Sequence, residues 1–182
     1  QAEVVCAACG DAAFCRRRDC IAAGGFAEHF LCFLEDVVLG FRLRLAGSPC
    51  LYVPEAAVYH QGSALTGLRS AFYTYHGHRN LLWLYVKNMP GRLFWRYLPW
   101  HLLATLAAFA LCAARGQAGI FLKAKRDAIR GLPGIMRQRR TIQQQRQATT
   151  GKIRAALTSE LRVLMDWFRM RWAGRAAPGD RQ

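Results

Sequence analysis

Residues 30–47, FLCFLEDVVLGFRLRLAG, place an acidic pair, Glu35-Asp36, inside an otherwise apolar run. A helix that buries Phe33, Leu34, Val37 and Leu39 keeps its charges on the opposite face. Neighbours on a helix lie about 100° apart, so two adjacent carboxylates cannot both turn away from one core. Either the pair begins the helix, where unpaired N–H groups and the dipole favour negative charge, or one carboxylate is turned inward for chemistry. The first option predicts a helix from about Glu35 to Ala46, stopped by Gly47, with Arg42 and Arg44 on its later turns.

Upstream, VVCAACGDAAFC (4–15) reads as extended segments around a turn at Gly10-Asp11. RRRDCIAAGGF then reads as a short helix closed by Gly24-Gly25. Downstream, CLYVPEAAVYHQGSA predicts two short strands broken at Pro54, then a loop at His60-Gln61-Gly62-Ser63. A helical pattern runs from Ser70 to Asn88 and stops at Met89-Pro90-Gly91. His76, Asn80, Trp83 and Lys87 share one face of it at spacings of four, three and four. That face is either a solvated surface edged by Trp83 or, with Arg79, a polar lip for a phosphate-bearing acceptor.

The 182 residues suffice for one domain and an appendage. Their apolar share, 53 %, exceeds the usual level of about 45–50 %, yet the net charge is +15. The charge is uneven: residues 1–114 carry 10 Lys/Arg against 7 Asp/Glu, and residues 115–182 carry 16 against 4. A basic tail meets nucleic acid or an anionic membrane surface. Nucleic-acid arms are usually poor in Leu, Phe and Trp, whereas this tail is apolar throughout, so the membrane surface is expected and nucleic acid is not.

Seven cysteines stand at 6, 9, 15, 20, 32, 50 and 112. Cys6-x-x-Cys9 followed by Cys15 and Cys20 has a zinc-like look, but the second pair is widely spaced and no His lies near it. Reduced, buried thiols of a cytoplasmic-side protein are expected instead.

Taken in order, Gly10 with Arg16-Arg17, Gly24-Gly25-Phe26, Glu35-Asp36 with Leu39-Gly40 and Arg42, Leu45-Ala46-Gly47, Tyr52-Val53-Pro54-Glu55-Ala56, and Tyr59-His60 with Gly62-Ser63 form a series. YHGHRNLLWLYVKNMP continues it. This series, over residues 4–100, resembles the acceptor-side half of family 2 glycosyltransferases of the GT-A fold. Within that family it is most like the rhamnosyltransferase-like members that build bacterial surface polysaccharide. The resemblance implies inverting transfer of a sugar, rhamnose being the candidate, from a nucleotide-sugar donor to a lipid-linked saccharide acceptor. By resemblance Asp36 is the general base that deprotonates the acceptor hydroxyl, and Glu35 is its orienting or acceptor-contacting neighbour. Arg16, Arg42, Arg79 and Asn80 are the acceptor- or phosphate-binding candidates. His60 matches the family's histidine that helps hold Mg²⁺ or Mn²⁺, or the donor diphosphate.

The chain departs from the family pattern at Val38, Ala27 and Asp11, where the family has a second acid, an acid after Gly-Gly-Phe, and a small residue. No Asp-x-Asp occurs in it, and the nucleotide-cradling strands are not found before Val4, so the donor half is expected to be missing.

The apolar stretch 98–114, LPWHLLATLAAFALCAA, has Trp95, Tyr97 and Trp100 near its start and Arg115 at its end. At 1.5 Å per residue it reaches about 26 Å, short of a hydrocarbon core of about 30 Å, which favours an interface-embedded or re-entrant helix over a span. TIQQQRQATTG reads as a polar linker. Ile153, Leu157, Leu161, Leu164, Phe168 and Trp172 then form an apolar stripe beside Arg154, Arg162, Arg169 and Arg171, suited to an anionic leaflet. The expected architecture is α/β: the C-terminal half of a GT-A (Rossmann-like) domain over residues 1–92, then basic membrane-associated α-helices over 93–182. The expected place is the cytoplasmic face of a bacterial inner membrane. The competing classes are a non-catalytic membrane adaptor and a basic zinc or nucleic-acid module.

Overall fold

Helix-end signals set where the long elements begin and stop. A computed structural model describes residues 3–59 and 70–157. In chain order these hold β1 (Glu3–Val5), α1 (Arg17–Ala22), α2 (Glu35–Leu45), β2 (Cys50–Tyr52), α3 (Ala71–Asn88), α4 (Gly91–Ala113), α5 (Ala118–Gln144) and α6 (Thr150–Ala156). Single 3-10 turns lie at Gly10–Ala12 and Glu28–Phe30. At the end of α2, Gly47 takes a left-handed φ of 95°, and the amide of Ser48 folds back 2.9 Å onto the Leu43 carbonyl. Ser70 caps α3 by accepting from the Tyr73 amide at 3.1 Å, and Thr149 caps α6 by accepting from Lys152 at 3.3 Å.

α3 is the central beam. α4 returns antiparallel beside it: Tyr85 stacks on His101 at 4.3 Å, and His78 lies 3.6 Å from the Cys112 sulfur. α5 runs in the same direction as α3, tied from Thr74–Gln117 at 2.7 Å to Gln143 donating to the Asn88 carbonyl at 3.0 Å. The two helices approach closely because α5 presents Ala124, Ala128 and Gly131 to α3, the two alanines being wholly buried. Trp83 fills that groove: its indole N–H donates to the Ala128 carbonyl at 2.8 Å, and a methyl at Gly131 would come within 2.6 Å of its ring. Phe41 and Leu45 of α2, Val86 of α3, Leu93 of α4, Ile135 of α5 and Ile153 of α6 share one apolar core. That core crosses the expected domain boundary between residues 92 and 93. After α5 the amides of Gln147 and Ala148 both donate to the Leu45 carbonyl, docking the chain on the end of α2.

Several expectations are corrected. Within 4–15 the turn lies at Gly10–Ala12, between extended Cys9 and Ala13, but a paired strand forms only at Glu3–Val5, antiparallel to Cys50–Tyr52 in register Val4↔Leu51. The second strand expected after Pro54 does not form: residues 54–59 are exposed, and no further strand is offered to them among the described residues. The expected polar linker is helical as far as Gln144. Reduced thiols were expected throughout, but Cys15 and Cys20 are joined by a disulfide, their Cα atoms 6.7 Å apart. The first turn of α1, in which the Cys20 amide donates to the Arg16 carbonyl at 3.1 Å, brings the two together. Of the free cysteines only Cys112 is fully buried; Cys9 is exposed, and Cys6, Cys32 and Cys50 are half-buried.

No helix among the described residues is long and apolar enough to cross a membrane. The stripe beyond Leu157 and the loop holding His60 lie outside the described residues.

Candidate active site

The acidic pair opens α2. The chain reaches it through a contorted approach in which Leu31, Phe33 and Leu34 have φ values of 61°, 68° and 69°. Left-handed conformations cost a non-glycine residue about 1–2 kcal/mol each, so something must hold this segment. Asn80 of α3 does. It is fully buried, and its Nδ2 donates to the carbonyls of Phe30, Cys32 and Phe33 at 2.9, 2.8 and 2.9 Å. Arg79 donates to the Asn80 Oδ1 at 3.0 Å and to the carbonyls of His29 and Phe30 at 3.2 and 3.3 Å. Its guanidinium lies 4.5 Å over the Trp83 ring.

Held in this way, Asp36 points at the Gly10 turn. Its Oδ2 accepts from the Gly10 amide at 2.8 Å, and its Oδ1 accepts from the Val37 amide at 2.7 Å. Gly10 suits the contact because a methyl there would stand 3.2 Å from the Asp36 Cβ. One helical turn on, Gly40 lets the upstream chain press against α2; an added Cβ would lie 2.5 Å from that of Ala7. Glu35 differs in character: its Oε2 is buried and, among the described residues, has no hydrogen-bond partner. Arg42, on the same helix, holds the Gly24-Gly25 turn, donating to the Gly25 carbonyl and, at 3.5 Å, to that of Gly24. Burial lowers its pKa from 12.5.

The pieces recognised in sequence are therefore joined to one another through α2. Gly10 meets Asp36, Gly24-Gly25 meets Arg42, and Arg79-Asn80 meets the approach to Glu35. Arg16 stands apart: it is exposed, and its carbonyl receives the first amides of α1. Asn80 was read as a polar lip or phosphate contact, but its amide is spent on three backbone carbonyls. It positions the acidic pair from within. Lys87, on the same face, is also buried, 2 % exposed, with its ammonium 5.6 Å from the Phe30 ring centroid.

Two basic groups near Phe30 are held below their usual pKa. Burial, then Arg42, brings Lys87 to about 8. Burial, then Lys87, Arg42 and Arg79, brings His29 to about 4. The neutral His29 was not singled out from the sequence. The cation-ligand role expected of His60 falls outside the described residues. Among the described residues no three His, Cys, Asp or Glu side chains gather to hold a metal ion. What the arrangement offers is a carboxylate fixed by two amides, each oxygen still having a lone pair free for a hydroxyl proton.

Over 85 residues the chain is 36 % identical to an N-acetylglucosaminyl-diphospho-decaprenol L-rhamnosyltransferase of Mycobacterium tuberculosis. The same likeness holds for the protein of that name in two strains, CDC 1551/Oshkosh and ATCC 25618/H37Rv. The matched stretch is 46 % of this chain and 27 % of the relative, so the chain spans only about a quarter of the relatives' length. No family model matches. No solved structure matches.

Proposed function

We propose that these residues form the acceptor side of an inverting family 2 glycosyltransferase of the GT-A fold. The enzyme moves a sugar, rhamnose by the likeness above, from a nucleotide-sugar onto a lipid-linked saccharide in bacterial cell-surface polysaccharide synthesis. The observation that carries this reading is Asp36, a carboxylate at the start of α2 clamped between the Gly10 and Val37 amides. A general base needs hydrogen-bond reach and fixed geometry more than raw basicity.

In the proposed step Asp36 accepts the proton of the acceptor hydroxyl while that oxygen forms a bond to the anomeric carbon. The bond from that carbon to the nucleotide diphosphate breaks on the opposite face, and the diphosphate leaves with the electron pair. Glu35 faces the acceptor beside it. Arg42 and Arg79 shape the walls by fixing the Gly24-Gly25 turn and the approach to Glu35, and the exposed Arg16 meets a phosphate. Mg²⁺ or Mn²⁺ is expected of such an enzyme, with His60 as its candidate ligand. The described residues do not assemble a donor set for it.

The test is product formation. A full-length protein containing these residues is given nucleotide-linked rhamnose and polyprenyl-diphospho-N-acetylglucosamine. A rhamnosylated lipid, resolved by chromatography and mass spectrometry, is expected. Failure to transfer any sugar from a panel of nucleotide donors, with the protein folded, overturns the reading.

A further inference from the structure

The outer side of α4 is unlike a water-facing surface. Trp95, Leu103 and Leu106 are 71, 57 and 66 % exposed, and Trp100, Leu102 and Leu111 each more than half exposed. From Tyr97 to Ala114 the chain has no charged residue, so nothing on this face interrupts the apolar surface. A surface helix ordinarily carries charge on its solvent side, and exposed apolar area this continuous marks an interaction site. α5 adds a second pattern. Exposed Leu122, Ile129 and Met136 recur every seven residues, and each is followed by an exposed cation: Lys123, Arg130 and Arg137.

Charge selects the occupant. Residues 91–144 contain 10 Lys/Arg and a single acid, Asp127. Asp127 is already engaged by the Tyr75 hydroxyl at 3.0 Å and by Arg126 and Arg130. Arg92 and Arg96 flank the apolar face of α4 at one end and Arg115 at the other, with indoles at Trp95 and Trp100 beside them. Indoles at the boundary and cations around an apolar band fit the headgroup region of an anionic bilayer. A second copy of the chain would bring the same excess of cations to the contact, which opposes self-association.

We propose that α4 lies in the plane of an anionic membrane with its outer face among the acyl chains, and that the basic outer face of α5 holds it to the headgroups. This goes beyond the sugar-transfer reading and does not depend on it, since α4 and α5 contribute nothing to the proposed proton transfer.

The experiment uses the full chain and vesicles of phosphatidylcholine with or without about 30 % phosphatidylglycerol. Flotation with the anionic vesicles and weaker flotation with the neutral ones are expected. Leu103→Glu with Leu106→Glu changes two exposed positions, so circular dichroism is expected to stay unchanged while binding weakens at least about tenfold. Brominated lipid then locates the contact: quenching of tryptophan fluorescence is expected to fall in Trp95→Phe/Trp100→Phe and to persist in Trp167→Phe/Trp172→Phe. The reverse pattern overturns the proposal by assigning binding to the C-terminal stripe. No binding to anionic vesicles overturns it. So does a dimer that the Leu103/Leu106 variant dissolves while wild-type flotation is absent.

Discussion

The Gly10 amide reaches across 26 positions of chain to donate to the Asp36 Oδ2 at 2.8 Å. The upstream turn and the first turn of α2 are thereby fixed as one unit. An amide side chain keeps an acceptor for the Gly10 amide, but its Nδ2 then faces the Val37 amide, so that local bond in the first turn of α2 is lost. Asp36→Asn in the complete enzyme is therefore expected to keep the fold at a modest loss of stability and to bind donor, with turnover lowered at least about a hundredfold, the scale of a lost general base. Single-turnover kinetics alongside thermal melts measure both. Near-normal turnover removes Asp36 from the proposed role.

Asn80 makes a second, separable prediction. Replacing it with Leu keeps its bulk but leaves the Phe30, Cys32 and Phe33 carbonyls without the amide that joins them. A buried polar group left unpaired costs about 1–3 kcal/mol, and the left-handed segment adds its own strain. Chemical denaturation of Asn80→Leu is expected to show a loss at the upper end of that range or beyond. Exchange of the amides of residues 31–37 is expected to accelerate more than that of α5. A uniform loss of protection would mean that Asn80 stabilises the fold without locally restraining the acidic pair.

How far the sequence reached depended on the kind of signal. The bounds of α2 and α3 were legible because each has a chemical marker: the acidic first turn and Gly47 for one, Ser70 and Pro90 for the other. The course of α5 was not, because Pro133 and the glutamines near 143–145 look like breaks, and Ala124, Ala128 and Gly131 announce no partner until Trp83 lies against them. At the site, residue types were legible and orientations were not. A polar side chain at helical spacing reads equally as a wet lip or as a buried clamp, and only the three carbonyls around Asn80 decide it. The Cys15–Cys20 bond depended on where α1 begins, which spacing alone did not give.

The disulfide leads to a third prediction. Thiol titration in denaturant, without reductant, is expected to count the five free cysteines, 6, 9, 32, 50 and 112. Reduction is expected to add Cys15 and Cys20, and peptide mapping of the unreduced protein to recover those two linked. Seven reactive thiols before reduction would restore the reading of free thiols throughout.

Lys87 yields the last prediction, from burial against charge. The side chain is 2 % exposed, and among the described residues no carboxylate pairs with it. Burial lowers its pKa from 10.5 to about 8, with Arg42 adding to the effect. Between those values the unfolded chain holds the proton and the native protein has released it, so stability rises with pH across this window. Below about pH 8 both states are protonated and the native state carries the full cost of a buried, unpaired ammonium. Lys87→Met keeps the length and removes the charge. It is expected to stabilise the protein at neutral pH by on the order of 1–3 kcal/mol, an advantage that shrinks as the pH approaches 10.5. Urea unfolding of both proteins from about pH 7 to about pH 10.5 measures the difference directly. If the variant is less stable at neutral pH, or if the gap between the two does not narrow, then Lys87 is neutralised by a partner in the native protein and is not an uncompensated buried cation.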